Sequence, residues 1–218
     1  VDSAVERIAI ISADQKQLPM HSAHDGHPES STLTIEGAPI FGLTFALDGQ
    51  SLWATDSVGS LLKIDVKSMI ITRRLPLYQR PLVSTILSSD GHFLGVSTAE
   101  SGGSISGVWD LESEHEVFRV PTTLTADDPG AVRVAGFSDQ STVILTQSND
   151  VACFNFRTGR EVSTRFRHQR HWISSVSPLP VLGDKTCSVC LLDGTVNLWH
   201  PETGTDEVLH GHRNPVNS

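Results

Sequence analysis

The stretch Gly194-Thr195-Val196-Asn197-Leu198-Trp199-His200-Pro201-Glu202-Thr203-Gly204 alternates apolar and polar residues and then enters a Thr-Gly turn. Alternation with a period of two marks a strand, and a turn-forming pair after it marks a hairpin. Counting back from His200 in steps of 45 residues reaches Asn155, Asp110 and Asp65. Each of the four follows a large apolar residue (Ile64, Trp109, Phe154, Trp199), and Thr158-Gly159 stands at the same offset as Thr203-Gly204. A fixed period of this length is the signature of one supersecondary unit repeated along the chain.

Inside each unit the pattern is that of short strands. Ile40, Leu43 and Phe45 precede the turn Asp48-Gly49; Leu82, Thr85 and Leu87 precede Asp90-Gly91; Val132, Ala135 and Phe137 precede Asp139-Gln140; Ile173 and Val176 open the last unit. Second runs follow at 51–55, 93–98, 142–146 and 185–192, then the strand with the large apolar residue, then a more polar run such as 161–166 or 207–210. The spacing predicts four antiparallel strands per unit, over 37–80, 81–125, 126–168 and 169–210. No segment carries a helical apolar period with caps. Residues 1–36 read as part of a preceding unit, with strands over 6–12 and 31–36 joined by a polar loop, and 211–218 read as the start of another.

Over residues 37–218 the chain resembles the WD-repeat β-propeller family. The residues that carry the resemblance are Val108-Trp109-Asp110, the run from Ser188 through Asp193-Gly194 to Trp199, and Gly211-His212. It implies an all-β propeller of four-stranded blades, of which this chain would be part, with about seven blades in all, since closure removes the open sheet edge. It also implies a hydrogen-bonded staple of Ser, Asp, Trp and His, with Ser188, Asp193 and Trp199 in three places and His168 or His171 in the fourth. Trp109 holds the matching Trp place in its own unit. The other units carry Val58, Gly103 and Ser148 where Asp193 stands, and Ile64 and Phe154 replace Trp. Their blades are expected to rest on apolar packing rather than on that buried polar staple, whose members are costly when unpaired.

Hydrophobic residues make up 38% of the chain and aromatics 6%, and the 218 residues are ample for a core. No apolar run approaches a membrane span, and the start, Val1-Asp2-Ser3-Ala4-Val5-Glu6-Arg7, lacks the basic and apolar regions of a signal peptide. Three cysteines, Cys153, Cys187 and Cys190, cannot all pair with one another, which favours an intracellular location, cytoplasmic or nuclear. His168-x-x-His171 and Cys187-x-x-Cys190 have zinc-like spacing, but residues three apart on a strand point to opposite faces, so ordinary strand cysteines are expected and no metal is assigned. His21, His24 and His27, with Asp25 and Glu29, read as a solvated loop.

For chemistry the residues offer little. There is no Gly-x-Ser-x-Gly elbow and no phosphate loop, and Asp48 and Asp90 read as turn residues, so neither an enzyme nor a cofactor is expected. A net charge of −9 argues against general nucleic-acid or membrane binding. Two basic segments break that trend: Lys63, Lys67, Arg73, Arg74 and Arg80, and then Arg157, Arg160, Arg165, Arg167 and Arg170. Charge on an outer strand that discourages edge pairing is the expected reason for both. The leading expectation is a protein-interaction scaffold within a larger protein. Its alternatives are an RNA- or phosphate-binding propeller using the Arg-rich rim, and a ubiquitin-ligase substrate receptor. The receptor reading rests on Phe154-Asn155-Phe156-Arg157 and Ile64-Asp65-Val66-Lys67, and is opposed by Glu112 and Glu202 at the basic position beside the true Trp residues. Long insertions at 99–103 and 121–130 put Glu100, Asp127 and Asp128 forward as the partner-binding residues.

Overall fold

The computed structural model describes residues 7–46, 48–98, 105–120, 130–179, 185–212 and 214, and among these it contains strands and turns but no helix. The strands form five antiparallel sheets, each built from consecutive strands. The first holds β1 (Arg7–Ala9), β2 (Gln17–Ser22) and β3 (Pro28–Thr34), and the second β4 (Ile40–Phe45), β5 (Ser51–Asp56), β6 (Ser60–Asp65) and β7 (Ile70–Pro76). The third holds β8 (Leu82–Leu87), β9 (Phe93–Thr98), β10 (Ser106–Asp110) and β11 (His115–Arg119). The fourth holds β12 (Arg133–Phe137), β13 (Thr142–Gln147), β14 (Asp150–Asn155), β15 (Arg160–Glu161) and β16 (Phe166–Arg167), and the fifth β17 (Ile173–Pro178), β18 (Cys187–Leu191), β19 (Val196–His200) and β20 (Thr205–Leu209). The all-β architecture of recurrent four-stranded sheets is thus as the spacing predicts. The chain divides into two compact units, 1–85 and 86–218, with the division inside β8.

Burial changes systematically across each sheet. In β5, β9, β13 and β14 nearly every residue is buried, whereas β7, β11 and β20 are largely exposed. A strand covered on both faces carries a continuous apolar run, which is how Leu52-Trp53-Ala54 and Val143-Ile144-Leu145 read. Those faces are covered by neighbouring sheets. In the first unit Leu18, Met20 and Ile35 pack with Ile40, Leu52, Leu62 and Ile64. In the second, Phe93 and Val108 of the third sheet pack with Val134, Val143, Phe154 and Phe156 of the fourth, and Ile144, Val151 and Cys153 pack with Val189 and Trp199 of the fifth. Each interface removes several large side chains from water, at about 1.5–3 kcal/mol apiece.

Two strand expectations are corrected. Residues 13–30 are not a simple polar loop, because β2 lies within them: Leu18 and Met20 are fully buried. Pro19 and His21 mask that alternation, and the register shifts between them, as suits a residue that cannot donate to the ladder. The run 161–166 is not one outer strand but the break between β15 and β16. There Ser163 Oγ accepts the Cys153 N–H at 2.9 Å in place of a backbone carbonyl, and Thr164 turns to donate both its N–H and its hydroxyl to the Pro201 carbonyl.

The four positions of the 45-residue period begin the same backbone turn. The carbonyls of Asp65, Asp110, Asn155 and His200 each accept the N–H four residues on, at 2.8–2.9 Å, from Met69, Glu114, Gly159 and Gly204. Those four residues all take left-handed φ, at 51°, 63°, 69° and 73°. Side-chain oxygens reinforce three of the turns: Asp65 accepts from Ser68, Asp110 from Glu112 and Ser113, and Asn155 from Arg157 and Thr158. Hydrogen bonds from Ser68 hold the Asp65 carboxyl below its ordinary value, and those from Ser113 do the same for Asp110. The Thr-Gly pairs are therefore the glycine-bearing copies of a turn that Met69 and Glu114 also adopt.

Left-handed backbone costs a non-glycine residue about 1–2 kcal/mol. Nothing lies within 4 Å of a Cβ built on Gly159, so Gly159→Ala should lose about 1 kcal/mol through backbone strain alone, and Glu114→Gly should gain up to about 1 kcal/mol, as read by urea denaturation. Trp199 is fully buried, with its ring 6.2 Å from that of Phe166. Trp199→Ala should cost about 3–5 kcal/mol, and a cost within error of zero would show that the fifth sheet is wrongly packed.

Candidate interaction surface

In an antiparallel four-stranded sheet, the turn between the second and third strands and the chain leaving the fourth emerge at the same end. In the second unit hydrogen bonds tie these segments together. The Asn149 carbonyl accepts the His168 N–H at 3.1 Å, and Asn149 Nδ2 donates to the His168 carbonyl at 2.6 Å. The Ser148 carbonyl accepts the Ile173 N–H at 2.9 Å, and the Trp172 carbonyl accepts the Leu192 N–H at 3.0 Å. The same end of the fifth sheet shows why its turn needs Gly194, which has φ 88°: a Cβ there would meet the carbonyl oxygens of Asn214 at 2.6 Å and His212 at 3.1 Å. In the first unit Gly59, also at φ 88°, is crossed the same way by the Tyr78 and Arg80 carbonyls.

This rigid end carries the most exposed large apolar side chain among the described residues. Trp172 is 65% exposed, and Leu192, whose N–H binds its carbonyl, is 45% exposed. Gln169 and Arg170 are exposed beside them. His171 Nε2 lies 3.4 Å from Asp193 Oδ2, and Asp193 Oδ1 accepts the Thr195 N–H at 2.9 Å. Those interactions, the Thr195 N–H first and the two histidines after it, hold the Asp193 carboxyl below its ordinary value. Sequence reasoning passed over Trp172. The available signal was a Trp outside the periodic Trp place, just ahead of a first strand.

The staple implied by the resemblance assembles only in part. His171 and Asp193 meet, but Ser188 Oγ donates to the Ser177 carbonyl at 3.3 Å, and the buried Trp199 indole N–H has no hydrogen-bond partner among the described residues. His168 Nδ1 instead accepts the His171 N–H at 3.0 Å and, less closely, the Arg170 N–H at 3.4 Å. Trp109 is half-buried, unlike Trp199.

Besides the apolar packing expected of the degenerate units, two of them have charged staples of their own. Asp56 is fully buried and receives Arg74 Nη1 at 2.7 Å, together with the N–H groups of Val58 and Ser60. Asp150, 1% exposed, is held by Arg167 through Nε at 2.7 Å and Nη2 at 3.1 Å. The acids lie two residues before Val58 and two after Ser148, out of phase with Asp193, so counting by the period missed them.

The arginine series is likewise partly spent inside the fold. Arg165 forms a two-pronged pair with Glu161 at 2.7 and 2.8 Å, and Arg157 lies over Phe93 and Phe156 at 5.1 and 5.7 Å. Arg157 sits in the β14–β15 turn and Arg170 at the opposite end of the sheet, so the five do not form one patch. Only Arg160 and Arg170 lack an ionic or aromatic partner among the described residues. Glu100, Asp127 and Asp128 lie outside the described residues; the flanking Ile105 and Gly130 are anchored to Thr98 and Gln147.

No group of three or more His, Cys, Asp and Glu suited to a metal gathers among the described residues. Cys153 and Cys187 are thiols packed around Trp199, and burial pushes each up to about 12, far from nucleophilic range. His21, His24 and His27 occupy the β2–β3 hairpin, where His21 Nδ1 faces the Gly26 carbonyl at 3.2 Å. Asp48, Asp90 and Asp139 all accept turn N–H groups. A cleft of about 240 Å³ beside Lys185, Thr186, His200 and Thr203 lies at the end away from Trp172. Its Lys185 is already matched by Asp139 at 3.2 Å and Glu202 at 3.5 Å, so it offers no net positive charge to an anion.

Removing one member of a buried pair strands the other. Arg167→Ala should therefore cost about 2–3 kcal/mol, less than a fully buried pair because the guanidinium is half exposed, while Arg160→Ala should stay within about 0.5 kcal/mol of the parent. Equal stabilities in thermal melts would show that Asp150 does not depend on Arg167.

No family model and no curated protein matches the sequence. Among solved structures the chain is similar to U3-55K, a WD40 propeller protein, with a TM-score of 0.66 and 17% identity. The match covers 85% of this chain and 56% of that one, so this chain spans little more than half of its structural neighbour. At that identity the likeness speaks to fold: the chain is an all-β protein built of propeller blades.

Proposed function

We propose that the chain is part of a protein-interaction scaffold, not an enzyme, and that it docks an intracellular partner at the end that presents Trp172. The observation that carries this reading is a 65% exposed Trp on a loop hydrogen-bonded at both ends to the sheets beneath it. An aromatic side chain held still in water binds at small entropic cost, which is why Trp and Arg dominate interface energetics. The partner chemistry that fits is a peptide segment with an aliphatic or aromatic side chain for Trp172 and Leu192 and a carboxylate for Arg170. Glu100, Asp127 and Asp128, which lie outside the described residues, are proposed as further, acidic partner contacts.

RNA binding along the arginines is the second reading. It is less favoured because Arg157, Arg165 and Arg167 already have partners inside the fold. Adaptor docking through Phe154 to Arg157 is less favoured too, because Phe156 is buried in the core and Arg157 stacks on it.

Trp172→Ala should leave the melting temperature unchanged and weaken capture of the native partner by at least about tenfold, the effect of losing an interface anchor. Lys at Glu100, Asp127 and Asp128 should weaken it further. Undiminished capture by Trp172→Ala would overturn this surface. Loss on ribonuclease treatment, with a steep fall between low and physiological salt, would favour the RNA reading.

A further inference from the structure

Turns throughout the fold share one cap, in which a side-chain acceptor receives the backbone N–H groups two and three residues on. Asp48 Oδ1 accepts from Gln50 and Ser51 at 2.8 and 3.1 Å, Asp110 Oδ1 from Glu112 and Ser113 at 2.9 and 3.0 Å, and Asn155 Oδ1 from Arg157 and Thr158 at 3.1 and 2.9 Å. At residue 168 the same place is filled by an imidazole: His168 Nδ1 faces the N–H groups of Arg170 at 3.4 Å and His171 at 3.0 Å. An aspartate or asparagine oxygen stays an acceptor through mildly acidic pH. An imidazole nitrogen does not, since both ring nitrogens become donors once the ring is charged.

We propose that His168 makes the Trp172 surface acid-sensitive: the loop is held in its docking form while His168 Nδ1 is unprotonated and is released when that nitrogen takes up a proton. The capped loop is the form that binds one proton fewer, so proton uptake at Nδ1 disfavours it and proton loss restores it. The groups around the ring set the response. The His171 ring centroid is 5.3 Å away, Arg170 lies two residues on, and Arg167 is committed to Asp150. Asp193 is the acid that reaches both rings, and it contacts His171 directly. Proton uptake at His168 Nδ1 therefore places a charged ring beside His171 and Arg170, while the His171 side chain keeps its contact with Asp193. His168 itself stays anchored, because its backbone N–H and carbonyl are both held by Asn149. The backbone N–H groups of Arg170 and His171 are what is released, between that anchor and the Trp172 carbonyl that binds Leu192.

The proposal concerns regulation of the docking surface above and rests on that reading for its biological meaning, but its test needs no partner. Amide hydrogen exchange of the protein at residues 170 and 171 is measured at pH 7.5 and 5.5 and corrected for intrinsic exchange rates. Protection should fall roughly fivefold to tenfold in the parent, the worth of one lost hydrogen bond. In His168→Asn, whose Oδ1 takes the place of Nδ1, it should be the same at both pH values. His168→Asp, which keeps its acceptor down to about pH 4, serves if the Asn variant does not fold. The idea is overturned if parent and variant respond alike, or if His171→Gln removes the response and His168→Asn does not. Partner capture by Trp172→Ala at pH 7.5 tests the docking surface separately, so a silent surface and a silent histidine give different results.

Discussion

The second, third and fourth sheets have central strands that are buried on both faces, and no such sheet can be stable alone. Leu52, Val108, Ile144 and Val189 are buried to 1% exposure or less only because a second sheet lies against each. That mutual covering is the constraint from which the rest follows. It demands strands of similar length, and turns compact enough not to hold neighbouring sheets apart. The recurring left-handed turn residue meets that demand by reversing the chain in four residues while its N–H closes back on the strand end.

Close packing also explains where polar groups are tolerated inside. Ser97 Oγ accepts the Val134 N–H at 3.0 Å and Ser106 Oγ donates to the Val132 carbonyl at 2.9 Å, so small buried hydroxyls stitch the third sheet to the fourth. Buried carboxylates are admitted only with an arginine reaching in from an outer strand, as Asp56 and Asp150 show. The basic outer strands are thus charged for internal reasons as well as to discourage edge pairing, and this leaves little of their charge for a ligand.

Against this background Trp172 is the side chain that the core does not use. Its backbone is fixed by Leu192, and the loop before it is shaped by His168 and His171, yet its ring faces water. The scaffold supplies rigidity and the connecting loop supplies chemistry, the usual division of labour when sheets present a binding surface.

The sequence by itself determined the repeat, the four strands of the second, third and fifth sheets and the turns, because these follow from local rules: side chains alternate along a strand, and Gly or Asp takes the turn. Gly194 to Gly204 sufficed to find Asp65, Asp110 and Asn155. It did not reveal β2, whose apolar pair Leu18 and Met20 is interleaved with Pro19 and His21, nor the break between β15 and β16, which depends on Ser163 and Thr164 finding partners on another strand and another sheet. The partners of Asp56 and Asp150, the half-assembled staple around Trp199 and the exposure of Trp172 were likewise decided only in three dimensions. Each depends on which side chains from distant positions share a space, and a pairing across 17 or 18 residues leaves no mark in a local pattern.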